Sequence, residues 1–359
     1  MESFQQRPGS PHRRLACGAL GPSSDHDIFV GRQRELDILG RRMNDALVGR
    51  GGLVMLVGEA GIGKTWVAGK FAEEARRPGV TVLHGCCFEG EWQPPYAPWG
   101  AALGGYARVT DPERLRRQLG RGAGPLVRIM PEIGDALPDV PVAAPLNPSE
   151  ERFRLYDAVT HFLLNAAADD PLLVVLDDLQ WADRESLGLL RHLARSLRGA
   201  RLLVIGIYRE PEPGLGPQHP LMDALGLLRR EVDYEHVIVR GLSREEVAEY
   251  LASVGHQPPS RPLIEAIYDE TGGNPFYVSE VFRHLLEGGR IQRRGGQWLA
   301  DFSPGDLGIP EGVRQVVIRR VSRLSSDTNE MLALAAGFTG GFEVSVIQAI
   351  TELPEHRLL

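Results

Sequence analysis

The sequence predicts an α/β fold with a five-stranded, mainly parallel sheet, followed by a mostly helical region. Three observations lead there. Short runs recur that are nearly all apolar instead of alternating, as strands buried on both faces require: Leu53 to Val57, Val80 to Leu83, Leu172 to Leu176, Leu202 to Ile207 and, more weakly, His236 to Val239. Helical patterns lie between most of them, and strand–helix–strand repetition makes neighbouring strands parallel. From Gly241 onward, helix starts and stops replace the apolar runs.

The elements follow in chain order. Residues 1–26 are rich in Pro, Gly, Ser and Arg with no hydrophobic period, and are expected to be a disordered tail. The first helix is predicted from Leu36, Ile38 and Leu39, then Met43 and Leu47, which fall at helical spacing. Helices are predicted again in KTWVAGKFAEEARR, ERFRLYDAVTHFLLNAAAD and ESLGLLRHLARSLRG. The stretch from about 90 to 150 mixes weak helix signals with many Pro and Gly and reads as an insertion before the third strand. Its aromatic-rich start, CCFEGEWQPPYAPW, is expected to serve a core or an interface. Beyond Gly241, Ser243 is a cap candidate, Gly272-Gly273 a helix stop, and Pro275 a first-turn proline. RIQRRGGQWLA reads as a hairpin, and two further helices follow. The chain stops at LPEHRLL inside a helical pattern, so its last domain is expected to be truncated.

Composition narrows the function. At 359 residues the chain needs two or three domains. A net charge of −7 argues against a dedicated nucleic-acid surface in these residues, although a DNA-binding module could lie elsewhere in a longer polypeptide. Cys17, Cys86 and Cys87 have neither metal-ligand spacing nor an even count, and read as free thiols of a reducing cytosol. No apolar run reaches the roughly 20 residues of a membrane helix. The patch in RRLACGALG is too short for a secretory signal, so a cytoplasmic location is expected.

Chemistry concentrates in three motifs. GEAGIGKT, from Gly58 to Thr65, matches the phosphate-loop pattern in full and sits between a predicted strand and a predicted helix. Gly58, Gly61 and Gly63 are expected to let the backbone turn its N–H groups inward. The loop residues Gly58, Glu59, Ala60, Gly61, Ile62, Gly63, Lys64 and Thr65, with Trp66 just beyond, are the candidate nucleotide contacts. Lys64 would reach the β- and γ-phosphates, and Thr65 would offer its hydroxyl to Mg²⁺. LLVVLDDLQWAD supplies the acids: Asp177 for the metal and Asp178 to polarise the attacking water. Successive strand residues face opposite ways, so the two acids share one geometry only if the strand has already ended. Gln180, Trp181 and Asp183 carry no assignable role. RLLVIGIYRE ends the fourth strand at Arg209, which would lie near the γ-phosphate if that strand flanks the loop.

FVGRQREL, GEAGIGKT, LLVVLDDLQWAD, LLVIGIYRE and GGNPFYVSEV occur in this order, from residue 29 to 281. The set resembles the AAA-related ATPase region of the STAND class, and within it the large ATP-binding LuxR-type transcriptional regulators of bacteria. The resemblance implies a P-loop NTPase core at 27–240, a helical lid domain at 241–288 and the start of a winged-helix-like domain at 289–359. It places Val30, Gly31 and Arg32 by the adenine, Pro275 in the lid as a sensor of nucleotide state, and Arg209 as the strand-four sensor. Lys64, Asp178 and Arg209 form the expected catalytic set, and Thr65 and Asp177 the metal set. The resemblance further implies ATP or ADP with Mg²⁺, self-association on ATP binding, an unidentified effector, and DNA contact only through a C-terminal domain absent here. No arginine finger is identifiable; Arg121, Arg319 and Arg320 are candidates by charge alone. Slow hydrolysis in a nucleotide-controlled switch is therefore expected. The alternatives are a motor or remodelling ATPase, an ADP-bound scaffold, and a cyclase-linked signalling ATPase.

Overall fold

The computed structural model describes residues 28–77, 79–90, 94–140, 147–210, 219–294 and 297–300, with single helical positions at 318, 321, 328, 329, 332 and 333. The chain divides into two compact units, residues 1–240 and 241–359.

The first unit is built on strands β1 (Gly52–Gly58), β2 (Thr81–Cys86), β3 (Leu172–Asp177), β4 (Leu202–Arg209) and β5 (Glu235–Ile238). They form one sheet in the order β2-β3-β4-β1-β5. Every pairing in it is parallel. The fold class read from the sequence is the observed one, and the alternation of side chains explains why the runs looked uniformly apolar. Leu53, Met55 and Val57 of β1 enter one core with Leu172, Val174 and Leu176 of β3. Val54 and Leu56 enter the opposite core with Leu173 and Val175. Both faces are covered, so both parities must be hydrophobic.

Helices α1 (Gln33–Leu47) and α2 (Lys64–Arg76) cover one face. The other face carries α3 (Ala97–Val109), α4 (Pro112–Leu119), α5 (Ala123–Leu126), α6 (Glu132–Ala136), α7 (Pro148–Asp169), α8 (Arg184–Ala194) and α9 (Pro220–Glu231). The described part of the stretch expected as an insertion is therefore α3 to α6, and its apolar residues join the main core. Trp99 is fully buried there, donating its indole N–H to the Ser186 carbonyl at 3.1 Å. Backbone approach is close where α3 meets β2: a Cβ on Gly85 would lie 1.9 Å from the Pro98 carbonyl oxygen.

The second unit contains α10 (Arg244–Gly255), α11 (Arg261–Thr271), α12 (Pro275–Glu287) and the antiparallel hairpin β6 (Ile291–Arg294) and β7 (Gln297–Ala300). Its local signals act as their chemistry dictates. Ser243 and Glu246 form a reciprocal capping box on α10. Gly272 and Gly273 end α11 with φ of 58° and 74°. Asn274 caps α12, whose first residue is Pro275. The expected disordered tail at 1–26, the two helices beyond the hairpin, and Arg319 and Arg320 lie outside the described residues. No helix among the described residues is long and apolar enough to cross a membrane.

Gly85→Ala is expected to destabilise the first unit by about 1–3 kcal/mol, because the obstructing atom is backbone. A shift of the urea midpoint measures it; an unshifted midpoint would show that α3 can slide.

Candidate nucleotide site

β1 delivers the loop and α2 receives it. Gly61 and Gly63 have φ of 76° and 96°, a region costly for side-chain-bearing residues. Gly58 behaves differently from the expectation that it helps the turn. It is the last residue of β1, and a Cβ there would sit 2.5 Å from the Val239 carbonyl oxygen, so close approach of backbone requires it. No side chain caps α2 at Gly63, which leaves the first N–H groups of the helix available to an anion. Ile62 is buried beneath the loop, whereas Glu59, Gly61 and Thr65 are exposed. Trp66, in the first turn of α2, is 39% exposed.

Lys64 is only 7% exposed. Its Nζ donates to the carbonyls of Gly58 at 2.8 Å and Glu59 at 2.7 Å. Burial, and then the Arg209 guanidinium, lower its pKa to about 8 against the pull of Asp178, Asp177 and Glu59. A buried cation of this kind favours a nearby anion. Thr65 Oγ1 donates to Asp177 Oδ2 at 2.8 Å, which joins the loop to the end of β3. Asp177 is buried, and burial followed by the neighbouring Asp178 raises its pKa, with the bonds from Thr65 and the Asp178 N–H opposing. A hydroxyl and a carboxylate oxygen side by side, in surroundings that favour added positive charge, fit a hard divalent cation. Among the described residues no three or more His, Cys, Asp or Glu side chains gather into a metal cage. Mg²⁺ held by one or two protein oxygens and by phosphates needs no such cage.

β3 is not the immediate neighbour of β1, since β4 lies between them. The register pairs Gly58 with Arg209, so the end of β4 stands beside the start of the loop. The strand does end before Asp178. That residue adopts the left-handed conformation (φ 56°, ψ 41°), so strand alternation no longer governs where its carboxylate goes. Asp178 Oδ1 accepts from Gln180 Nε2 at 2.6 Å and lies 3.8 Å from Arg209 Nε. Gln180 Oε1 in turn accepts the Arg209 backbone N–H at 3.0 Å. Sequence reasoning missed Gln180. Its only signal is a polar residue in an otherwise buried segment, and its reach depends on the left-handed turn at Asp178. Asp183 caps α8 through the Ser186 N–H at 2.9 Å, and Trp181 packs half-buried against the core.

Arg32 reaches the loop from behind. It is buried and left-handed (φ 69°), and its guanidinium donates to the Ile62 carbonyl at 2.7 Å and to the Arg240 carbonyl. These bonds commit the side chain to backbone supporting the loop. Val30 is buried beside it, and Gly31 has φ of 67°. Pro275 belongs to the second unit, at the start of α12. Arg121 lies in the turn Gly120–Gly122, between α4 and α5.

A glycine loop between β1 and α2, an acid ending β3, and β4 inserted between those strands define a P-loop nucleotide-binding fold. Residues 28–205, just under half of the chain, match the family model of the AAA ATPase domain. Among solved structures, the chain is similar to the Walker-type ATPase of Pyrococcus abyssi, with 15% identity, a TM-score of 0.55, and coverage of 94% of this chain and 89% of that one. That likeness is one of fold. Looser likenesses are a signal transduction ATPase with numerous domains and a tetratricopeptide repeat sensor from Pyrococcus horikoshii, and the ORC1 protein of Aeropyrum pernix in complex with DNA. The former has 17% identity, a TM-score of 0.40, and coverage of 91% of this chain and 37% of that one. The latter has 15% identity, a TM-score of 0.41, and coverage of 95% of this chain and 84% of that one. No curated protein matches the chain in sequence.

Lys64 is expected to take up a proton when nucleotide binds above about pH 8, where the free side chain is partly neutral. Phosphate oxygens favour the ammonium, so affinity falls as pH rises through that value and levels off below it. Titration calorimetry in buffers of different ionisation enthalpy reads the uptake. Lys64→Arg, charged throughout, should abolish it.

Proposed function

We propose that the chain is an ATP-binding, slowly hydrolysing switch module of a bacterial transcriptional regulator of the LuxR type. The observation that carries the nucleotide part is the convergence of Lys64, Thr65 and Asp177: a buried ammonium, a hydroxyl and a buried carboxylate at one loop. Mg²⁺, when bound with the nucleotide, would supply Lewis-acid polarisation of the phosphate oxygens. Lys64 holds the β- and γ-phosphates, the loop and first turn of α2 from Gly58 to Trp66 surround them, and Thr65 and Asp177 hold the metal. Val30, Gly31 and Arg32 lie by the adenine. Asp178 orients and deprotonates the attacking water, and Arg209 reports whether the γ-phosphate is present.

The switch reading is supported by how Asp178 is held. Its Oδ1 is engaged by Gln180 and lies near Arg209, so the acid is tied to the end of the sensor strand. Pro275, at the start of α12, acts as a sensor of nucleotide state. ATP promotes self-association in the cytoplasm. An effector tunes the balance, and DNA is contacted by a further domain of a longer polypeptide. A bias of this kind requires different contacts in the two nucleotide states.

Denaturing purified protein and identifying the released nucleotide separates the readings. Retained ADP with negligible turnover supports a switch or an ADP-bound scaffold, and turnover of tens per minute counts against the switch. Lys64→Ala should weaken nucleotide binding by about 2–5 kcal/mol, about 30-fold or more in Kd; unchanged affinity would sink the site. Asp178→Asn should bind ATP normally while hydrolysing it about 100-fold more slowly. Equal rates in variant and parent would remove Asp178 from the mechanism.

A further inference from the structure

Gln180 is 4% exposed and makes two bonds of opposite sense. Its Oε1 accepts the Arg209 N–H, and its Nε2 donates to Asp178 Oδ1. The amide has only one orientation that satisfies both. A backbone N–H offers a proton alone, so the oxygen must face β4 and the NH₂ must face the carboxylate. An anchor for the end of β4 would need only the first bond. The second holds a carboxylate that also lies 3.8 Å from the half-exposed Arg209 guanidinium and in the field of the Lys64 ammonium. Gln180 and Arg209 both approach Oδ1 of that carboxylate rather than Oδ2.

We propose that Gln180 is a positioning residue for nucleotide hydrolysis. It holds Asp178 through Oδ1 so that Oδ2 receives the proton of the attacking water. The water oxygen bonds to the γ-phosphorus while the bond from that phosphorus to the β–γ bridging oxygen breaks. The products are nucleoside diphosphate and phosphate, and the proton on Oδ2 returns to solvent. The same amide ties Asp178 to the backbone of Arg209, so displacement of the end of β4 displaces the acid. Outer-shell partners that orient the groups of a metal site typically cost about 10- to 100-fold in activity when lost, and a loss of that order is expected here. The proposal rests on the reading of Asp178 as the water-polarising acid.

Gln180→Glu and Gln180→Met test it. Glu keeps an acceptor for the Arg209 N–H and loses the donor to Asp178; Met loses both without adding charge. Single-turnover ATP hydrolysis, ATP affinity and Tm are read for both variants in the full chain. The expected result is a fall in kcat of about 10- to 100-fold in both, with ATP affinity at the parent value and a lowered Tm that does not scale with the loss of kcat, since either change leaves a buried polar group without its partner. Parent-like kcat in Gln180→Glu would overturn the proposal and leave Asp178 in place, because anchoring of β4 would then suffice. Affinity and Tm falling in step with kcat in both variants would also overturn it, as a purely structural role. An ATP-bound parent with no turnover would overturn the reading of Asp178, and this proposal with it.

Discussion

The Lys64 ammonium is buried at the mouth of the first unit, and the surrounding structure is organised around that charge. Desolvation disfavours it, as its lowered pKa records. The carbonyls of Gly58 and Glu59 compensate in part, and holding them there requires a rigid strand end. β1 supplies it, buried along its whole length and flanked by β4 and β5. Gly58 lets the Val239 backbone pack against that end, while Arg32 secures the Ile62 carbonyl from below. What remains is a loop whose N–H groups and cation both favour an anion.

The acids answer the same charge from across the sheet. β4 separates β3 from β1, so Asp177 reaches the loop through Thr65 rather than through direct strand pairing. The left-handed turn at Asp178 then takes the second acid out of strand alternation. Asp177 is thereby bound to the loop through Thr65, and Asp178 to the end of β4 through Gln180. Two adjacent residues of one type thus sit in different surroundings, and the difference arises from one backbone conformation.

Much of the architecture was legible in the chain. The three central strands β1, β3 and β4 were visible as apolar runs because burial on both faces makes hydrophobicity compulsory there, whereas the edge strands β2 and β5 are only partly buried and gave shorter or weaker runs. Helix ends such as Ser243 and Gly272 were legible because caps and stops use local bonds. The role of Gly58 was misread, because its need comes from residue 239, far away in sequence. Gln180 was unreadable for a related reason: its partners are a side chain placed by an unusual φ and a backbone N–H on another strand.

The sequence by itself determined the fold class and the presence of a phosphate loop. Both rest on short-range rules: periodicity, glycine conformation, and the fixed spacing of GEAGIGKT between strand and helix. Only the tertiary structure decided the order of the strands, the pairing of Gly58 with Arg209, and the clamp on Asp178. Strand order is set by how helices pack on two faces at once, and hydrogen bonds between residues about 30 positions apart follow from that packing rather than from any local pattern.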